Sequence, residues 1–462
     1  MDKFEDITKK LPQSQFPEVF SRLHGFIRES DRSIIVLDDD PTGCQTLHGI
    51  PVLFQWDIDM LQKEMSDGTP LFFLMTNSRS MTEDNAVALY REIGRLIKEA
   101  SEKTGRAFSV VSRSDSTLRG HYPAEPDALK FLYDQLPVHC IIPAFFQGGR
   151  YTIGDVHYVK TGDVMVPAAQ TPSAEDKVFG FTNSNLKKWV EEKTSGRISH
   201  ERVFSFGLDE LRMKGPDYVR QKLNELDPGA VVVVNAAAQN DLDIFALGAL
   251  QAEQKGAVLL YRTAASFLNS YGALPPREPL DGLSMGAGSS SGGLFIVGSY
   301  VPRSTRQLEN LIRQEGIHPI ELEVSRLLQD SAGEYLAGTI RLVDQYLAEG
   351  SHIVLFTSRE LVYTDNPAEN LAIGNTVSDA LVAISREIRN KPAFIVAKGG
   401  ITSHDIASKG LRIKRAMVAG PALPGVPVLV PDDRPDLKYI VFPGNVGEND
   451  AMSLLFNKLK TI

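Results

Sequence analysis

Cysteine is nearly absent: Cys44 and Cys140 are the only two in 462 residues. So small a supply excludes a disulfide framework and suits a reducing compartment. Their plain reading is as small apolar side chains. Long hydrophobic runs are missing too. The longest, Ala230 to Ala238, is interrupted by Asn235 and falls far short of the roughly 20 apolar residues that span a bilayer. The opening Met1-Asp2-Lys3-Phe4-Glu5-Asp6 lacks the apolar centre of a secretory signal. Positive charge is in deficit, with 49 Lys and Arg against 58 Asp and Glu, so nonspecific nucleic-acid binding is not expected. His48, His121, His157 and His404 show no zinc-ligand spacing, and no side chain is assigned to a metal. These absences predict a soluble, cytoplasmic protein without nucleic-acid or membrane partners, and they are compatible with a homo-oligomer.

What is present is an α/β pattern. A chain of 462 residues with 42% apolar and 23% charged content has the length of two ordinary globular domains. Short β-rich runs (Ser33–Leu37, Leu71–Met75, Phe108–Val111, His139–Ile142, Ala230–Asn235, Ala257–Tyr261) alternate with amphipathic stretches such as Thr82–Lys103, Pro216–Leu226 and Asn240–Lys255. Alternation of this kind implies crossover connections and a mostly parallel sheet. Gly154-Asp155 and Gly162-Asp163 mark hairpins that break the pattern. Residues 274–293, rich in Pro, Gly and Ser, read as a flexible linker. Beyond them the alternation resumes, with strands at Leu294–Val297, Ile353–Phe356, Ala393–Ala397 and Tyr439–Phe442. The expected fold is α/β: two domains, each a mostly parallel sheet flanked by helices, with the active site in the interdomain cleft. The division is 1–273 for the first domain, 274–293 for the linker and 294–462 for the second.

The most informative segment is Ile34–Gly43, where Ile-Ile-Val-Leu runs into Asp38, Asp39 and Asp40 and then Pro-Thr-Gly. The apolar run predicts a buried strand, and the C-terminal ends of such strands are where open α/β sheets bind ligands. Three adjacent carboxylates repel one another, so a fold gathers them only to place a cation, a hydroxyl or a proton. Other strand ends offer Arg79, then Arg113, Ser114, Asp115 and Arg119, then Arg150. Guanidinium forks hold carboxylates and aspartates accept from hydroxyls, so this inventory suits a small polyhydroxylated acid.

The second half has three strand-to-helix junctions rich in glycine: Gly298-Ser299, Lys398-Gly399-Gly400-Ile401-Thr402-Ser403 and Gly444-Asn445-Val446-Gly447. Glycine lets the backbone turn tightly and approach an anion, so phosphate binding is expected, although no Walker-type loop occurs. An acid pocket and a phosphate cradle in one chain predict a kinase. A competing pattern is Asp38-x-Asp40-x-Thr42, which fits the first motif of haloacid dehalogenase-type phosphatases, with Thr76 and Asp432-Asp433 as partners. That acidic pair lies far down the chain, and the reading leaves the three glycine loops unexplained. A non-catalytic nucleotide-sensing module is a third alternative.

Assembled, these motifs resemble the four-carbon acid sugar kinase family. The family's Asp-Asp-x-Thr-Gly appears as Asp39–Gly43, and its Lys-Thr-Asp-Ser-Thr-Leu-Arg-Gly as Arg113–Gly120. Pro143–Arg150, Gly298-Ser299, Gly399–Ser403 and Gly444–Gly447 match in the same order. Arg113 in place of lysine and Pro41 in place of Leu or Phe set the chain apart as a distinct subgroup. The resemblance implies ATP-dependent phosphorylation, with Mg²⁺, of the terminal hydroxyl of a small-molecule sugar acid (threonate, erythronate or 3-oxo-tetronate). It also implies that Ser299, Gly399, Gly400, Ile401, Thr402 and Gly444 contact ATP, while Asp40, Arg79, Arg113 and Arg119 bind the acid. The catalytic base is Asp39 or Asp115, and the sequence leaves both open.

Overall fold

Seven residues of near-complete burial, Arg32–Asp38, form the strand on which the N-terminal half is organised, as its β-branched run requires. The computed structural model describes residues 3–359, 362, 367–444 and 446–460. Up to the glycine-rich stretch the strands are β1 (Arg32–Asp38), β2 (Pro51–Leu53), β3 (Leu71–Met75), β4 (Ala107–Arg113) and β5 (Val138–Ile142). There follow β6 (Arg150–Ile153), β7 (Val156–Thr161), β8 (Val164–Pro167), β9 (Val203–Phe206), β10 (Val231–Val234) and β11 (Leu259–Thr263). Beyond it lie β12 (Gly293–Val297), β13 (Ile317–Leu322), β14 (His352–Thr357), β15 (Phe394–Lys398), β16 (Arg415–Leu423), β17 (Val426–Pro431) and β18 (Lys438–Phe442).

These strands fall into two compact units. The first comprises Met1–Gly43 and Trp56–Pro276, the second Cys44–Gln55 and Arg277–Ile462. In the first unit the sheet order is β3-β1-β4-β11-β5-β10-β9, parallel throughout. Its register sets Asp38 opposite both Met75 and Arg113, and Arg113 opposite Thr263. The C-terminal ends of four neighbouring strands therefore finish at one level. Strand β1 lies between β3 and β4, so the chain reverses direction across the sheet here, the usual position of a ligand crevice. A separate antiparallel sheet, β6-β7-β8, turns at Gly154-Asp155 and Gly162-Asp163, as the glycines there require. The helix over Leu208–Glu225 is broken at Gly215, whose φ of 72° no helix accommodates, and restarts at Pro216.

In the second unit β13-β14-β12-β15-β18 are parallel, and β17, β16 and β2 continue the order antiparallel. Strand β2 belongs here although it lies far from the rest in sequence, a departure from the contiguous 1–273 domain expected. Its three buried residues are too few to be read as a strand until β16 pairs with them. The stretch expected as a free linker is packed: Leu280 and Met285 join the core around Phe295, Phe394, Phe442 and Phe456. Gly292 and Gly293 are there for close packing, because a Cβ on either would overlap the Ser351 carbonyl or the Phe394 ring. No helix among the described residues is long and apolar enough to cross a membrane.

Candidate functional site

In the first unit the three aspartates diverge in role. Asp38 is fully buried, with one oxygen 3.1 Å from Arg113 Nη1 and the other, Oδ2, without a hydrogen-bond partner. Gly43 lies directly on this carboxylate, so closely that a Cβ would overlap it. Burial pushes the Asp38 carboxyl up to about 7, outweighing the opposing pull of Arg113. Asp39 is also fully buried. It accepts from Arg79 through Nε at 3.1 Å and Nη2 at 2.5 Å, and from Ser114 Oγ at 3.0 Å. Asp40 is partly exposed and closes an Asx turn, accepting from Thr42 N at 2.9 Å and Thr42 Oγ1 at 2.6 Å. Arg79 Nη1 reaches it at 3.2 Å. Burial works to raise the Asp40 carboxyl, but Arg79, Arg113 and Thr42 prevail and hold it low.

The loop after β4 carries the next group. Asp115 accepts from Arg119 Nε at 2.6 Å and from the Thr117 hydroxyl. Burial opposes its charge, yet Arg119, Arg79 and these hydrogen bonds hold the carboxyl well below the usual carboxylate range. Arg119 Nη1 also lies 3.8 Å from Asp176. His157, reaching in from β7, fixes this loop: its Nε2 donates to the Ser116 carbonyl at 2.7 Å. Gly120 has φ +118°, and a Cβ there would come within 2.8 Å of Arg262 Nη2 and of Ser114 Oγ. Glycine is needed at that position for both reasons.

Arg262 did not register in the sequence. The strand expected at Ala257–Tyr261 in fact runs over Leu259–Thr263, which puts Arg262 and Thr263 at the ligand end beside Arg113. Arg262 is buried, pairs with Glu125 at 2.9 Å and donates to Ser114 Oγ at 2.7 Å. Glu125 in turn accepts from Ser78 Oγ at 2.5 Å. One network thus joins Asp39, Asp40, Arg79, Arg113, Asp115, Arg119 and Arg262. Every expected arginine in it has an aspartate partner, where the sequence reading weighed such pairing against a carboxylate clamp and favoured the clamp. The Arg150 guanidinium turns back onto the Gly148 carbonyl.

A pH dependence follows from Asp38. Its carboxyl takes up a proton at higher pH in the folded chain than in the unfolded one. The stability this gives is complete below about pH 4 and is lost as pH rises through about 7. Asp38→Asn cannot titrate. Chemical denaturation of both proteins should show the wild-type advantage shrinking from pH 4 to pH 7 by on the order of a few kcal/mol. A pH-independent difference would contradict this assignment.

In the second unit the three glycine loops meet. A Cβ on Gly399 (φ +111°) would lie 3.1 Å from Ser299 Cβ, and one on Gly444 would lie 3.8 Å from Ser299 Oγ. A Cβ on Gly298 would overlap Thr402 Oγ1. Ser299, Gly399, Thr402 and Gly444 are therefore gathered in one place, while Ile401 is exposed. Neighbouring side chains hold the loops in place. Ser304 Oγ donates to Ser299 Oγ at 3.1 Å, Gln307 Nε2 reaches the Glu448 carbonyl at 2.8 Å, and Arg359 Nη1 donates to the Ser299 carbonyl at 2.8 Å. Lys398, fully buried, donates to the Pro443 carbonyl at 2.6 Å and lies 4.1 Å over the Phe442 ring. Burial, reinforced by Arg303, pulls its ammonium down to about 7. Asn445 of the last motif lies outside the described residues.

The family profile of a sugar-binding N-terminal domain matches residues 34–271, and that of a nucleotide-binding C-terminal domain matches residues 294–452. The chain belongs to the four-carbon acid sugar kinase family. Among curated members it is similar to a D-threonate kinase of Salmonella typhimurium, 26% identical over 285 residues, or 62% of this chain and 61% of that one. It is also similar to a 3-oxo-tetronate kinase of Pseudomonas fluorescens, 24% identical over 366 residues, or 76% and 78%. The match thus spans about three fifths of the first relative and about four fifths of the second. Two crystal structures share the fold at 16% identity. A Salmonella typhimurium LT2 protein catalogued as a tRNA synthase has a TM-score of 0.69, covering 93% of this chain and all of that one. A Haemophilus influenzae protein from a family of unknown function has a TM-score of 0.60, covering 92% and 100%. In the family's terms, the Asp–Arg network lies in the sugar-binding domain and the three glycine loops in the nucleotide-binding domain.

Proposed function

We propose that this family member is an ATP-dependent kinase that phosphorylates the terminal hydroxyl of a four-carbon sugar acid of the threonate, erythronate or 3-oxo-tetronate type. The observation that carries the reading is the convergence of the three glycine loops, where the absence of side chains at Gly298, Gly399 and Gly444 lets three strand-to-helix turns close around the Ser299 and Thr402 hydroxyls. Ser299, Gly399, Gly400, Ile401, Thr402 and Gly444 would hold the nucleotide. The Ser299 and Thr402 hydroxyls fit a Mg²⁺ that keeps mainly phosphate and water ligands. When bound, Mg-ATP supplies the phosphoryl group and the cationic charge that offsets its oxygens.

In the first unit Asp115 is the stronger candidate for the base. Its carboxylate is partly accessible and borders a small cavity, whereas Asp39 has both oxygens engaged and no exposure. Asp115 would accept the proton of the terminal hydroxyl as that oxygen attacks, with Arg119 and Thr117 holding the carboxylate in line. Asp39 would fix Arg79 and Ser114, and Asp40, Arg79, Arg113 and Arg119 would border the acid.

The phosphatase alternative needs Asp38 as an open nucleophile. Its burial beneath Gly43 and its pairing with Arg113 argue against that role. The position of transfer is testable by ³¹P NMR of the product from Mg-ATP and each acid. A phosphomonoester on the terminal carbon is expected; a phosphorylated carboxylate or internal hydroxyl would refute the assignment.

A further inference from the structure

Lys398 is the last residue of β15 and wholly buried, yet among the described residues it forms no salt bridge. The charged group that bears on it is Arg303, of like sign. Buried Arg113 and Arg262 of the first unit, by contrast, each have a carboxylate. Burying a charge without a counter-ion is costly, and both hydrogen bonds that Lys398 makes go to one loop. Its Nζ donates to the Pro443 carbonyl at 2.6 Å and to the Gly444 carbonyl at 3.3 Å. Arg359 treats the Ser299 loop in the same way. Its Nη1 donates to the Ser299 carbonyl at 2.8 Å, while Nε and Nη2 anchor it on the Thr357 carbonyl at 2.9 and 2.7 Å.

A trans peptide sets its C=O and N–H on opposite sides, and among the described residues Tyr122–Pro123 is the one cis bond. Drawing the Pro443 carbonyl onto Lys398 therefore turns the Gly444 N–H away from the ammonium. Drawing the Ser299 carbonyl onto Arg359 likewise turns the Tyr300 N–H away from the guanidinium. Neither N–H takes part in a hydrogen bond among the described residues, and Gly444 is half-buried and Tyr300 exposed. We propose that Lys398 and Arg359 are positioning residues for the nucleotide's phosphates, holding these two peptides so that the Gly444 and Tyr300 N–H groups are presented to an anion. Their positive charge behind the loops favours the same polyanion. The inference deepens the kinase reading and rests on it. Neither side chain is among the nucleotide contacts that the family resemblance implies.

Binding of the phosphate and adenosine parts of the nucleotide separates positioning from a merely structural role. Lys398→Met keeps the length and apolar stem of the side chain and removes its donors and charge. In calorimetric titrations with Mg²⁺, the β,γ-imido analogue of ATP should bind this variant about tenfold more weakly than it binds the wild type. Inorganic tripolyphosphate, added as a competitor, should weaken by a similar factor, while adenosine should compete as it does against the wild type. KM for the acid should be unchanged. Arg359→Gln, which acts on the other peptide, should shift the same measurements in the same direction and serves if Lys398→Met folds poorly. Unchanged affinity for the analogue in a folded variant of either kind would overturn the positioning role alone. So would an equal loss for adenosine, or no loss for tripolyphosphate. A wild type that binds no analogue at all would overturn the kinase reading and the positioning role with it.

Discussion

Asp115→Asn is expected to lower kcat for the sugar acid by about 100-fold or more, with nucleotide affinity unchanged. The substitution keeps the side chain's shape, and the amide oxygen can still accept from Arg119 Nε and Thr117 Oγ1, so the loop should stay in place. What is lost is the ability to take a proton. Depression of this carboxyl keeps it ionised across the working pH range, so it accepts a proton only as the hydroxyl becomes acidic during attack. A steady-state assay with parallel calorimetric titration of a non-hydrolysable ATP analogue separates the two effects. Turnover within a few-fold of wild type would transfer the role to Asp39. The matching Asp39→Asn change is less informative by itself, because it also breaks the two-point pairing with Arg79 and strands a buried guanidinium.

Gly43→Ala is expected to destabilise the first unit by about 3–5 kcal/mol. The glycine is not there for an unusual φ. It is there because the Asp38 carboxylate occupies the place of its Cβ. Asp38 cannot move aside cheaply, since it is fully buried and tied to Arg113 at 3.1 Å. A methyl group would therefore break a buried ion pair or displace the end of β1, and with it Asp39 and Asp40. The denaturation midpoint of Gly43→Ala should fall sharply, while Gly49→Ala, where a Cβ would meet nothing within 4 Å, should lose only what its φ of +69° costs. A midpoint within about 0.5 kcal/mol of wild type would show that Asp38 has slack the packing does not display.

Much of this could be read from residue order because strand ends in parallel sheets carry the chemistry. Ile34–Leu37 could only be a buried strand, and three carboxylates at its end could only lie at the ligand edge. The same logic found Arg113, Asp115 and Arg119 after β4, and the glycine loops after β12, β15 and β18. It failed where pairing, not composition, makes the element. Strand β13 alternates buried and exposed residues across Pro319 and Glu321 and has no apolar run to announce it. Strand β2 depends on β16, a partner more than 350 residues away. Arg262 was missed because a two-residue error in the end of β11 removed it from the site.

The central claim is acid-dependent phosphoryl transfer, and ADP release from Mg-ATP tests it most directly. The assay should run over both threonates, both erythronates and their 3-oxo forms, each with and without the protein. The expected result is ADP formation that requires one of these acids and yields its phosphorylated form. No acid-dependent ADP from any of them would contradict the account. Phosphate release from a generic phosphomonoester would then favour Asp38 and Asp40 as a phosphatase pair, and nucleotide binding alone would favour a sensing module.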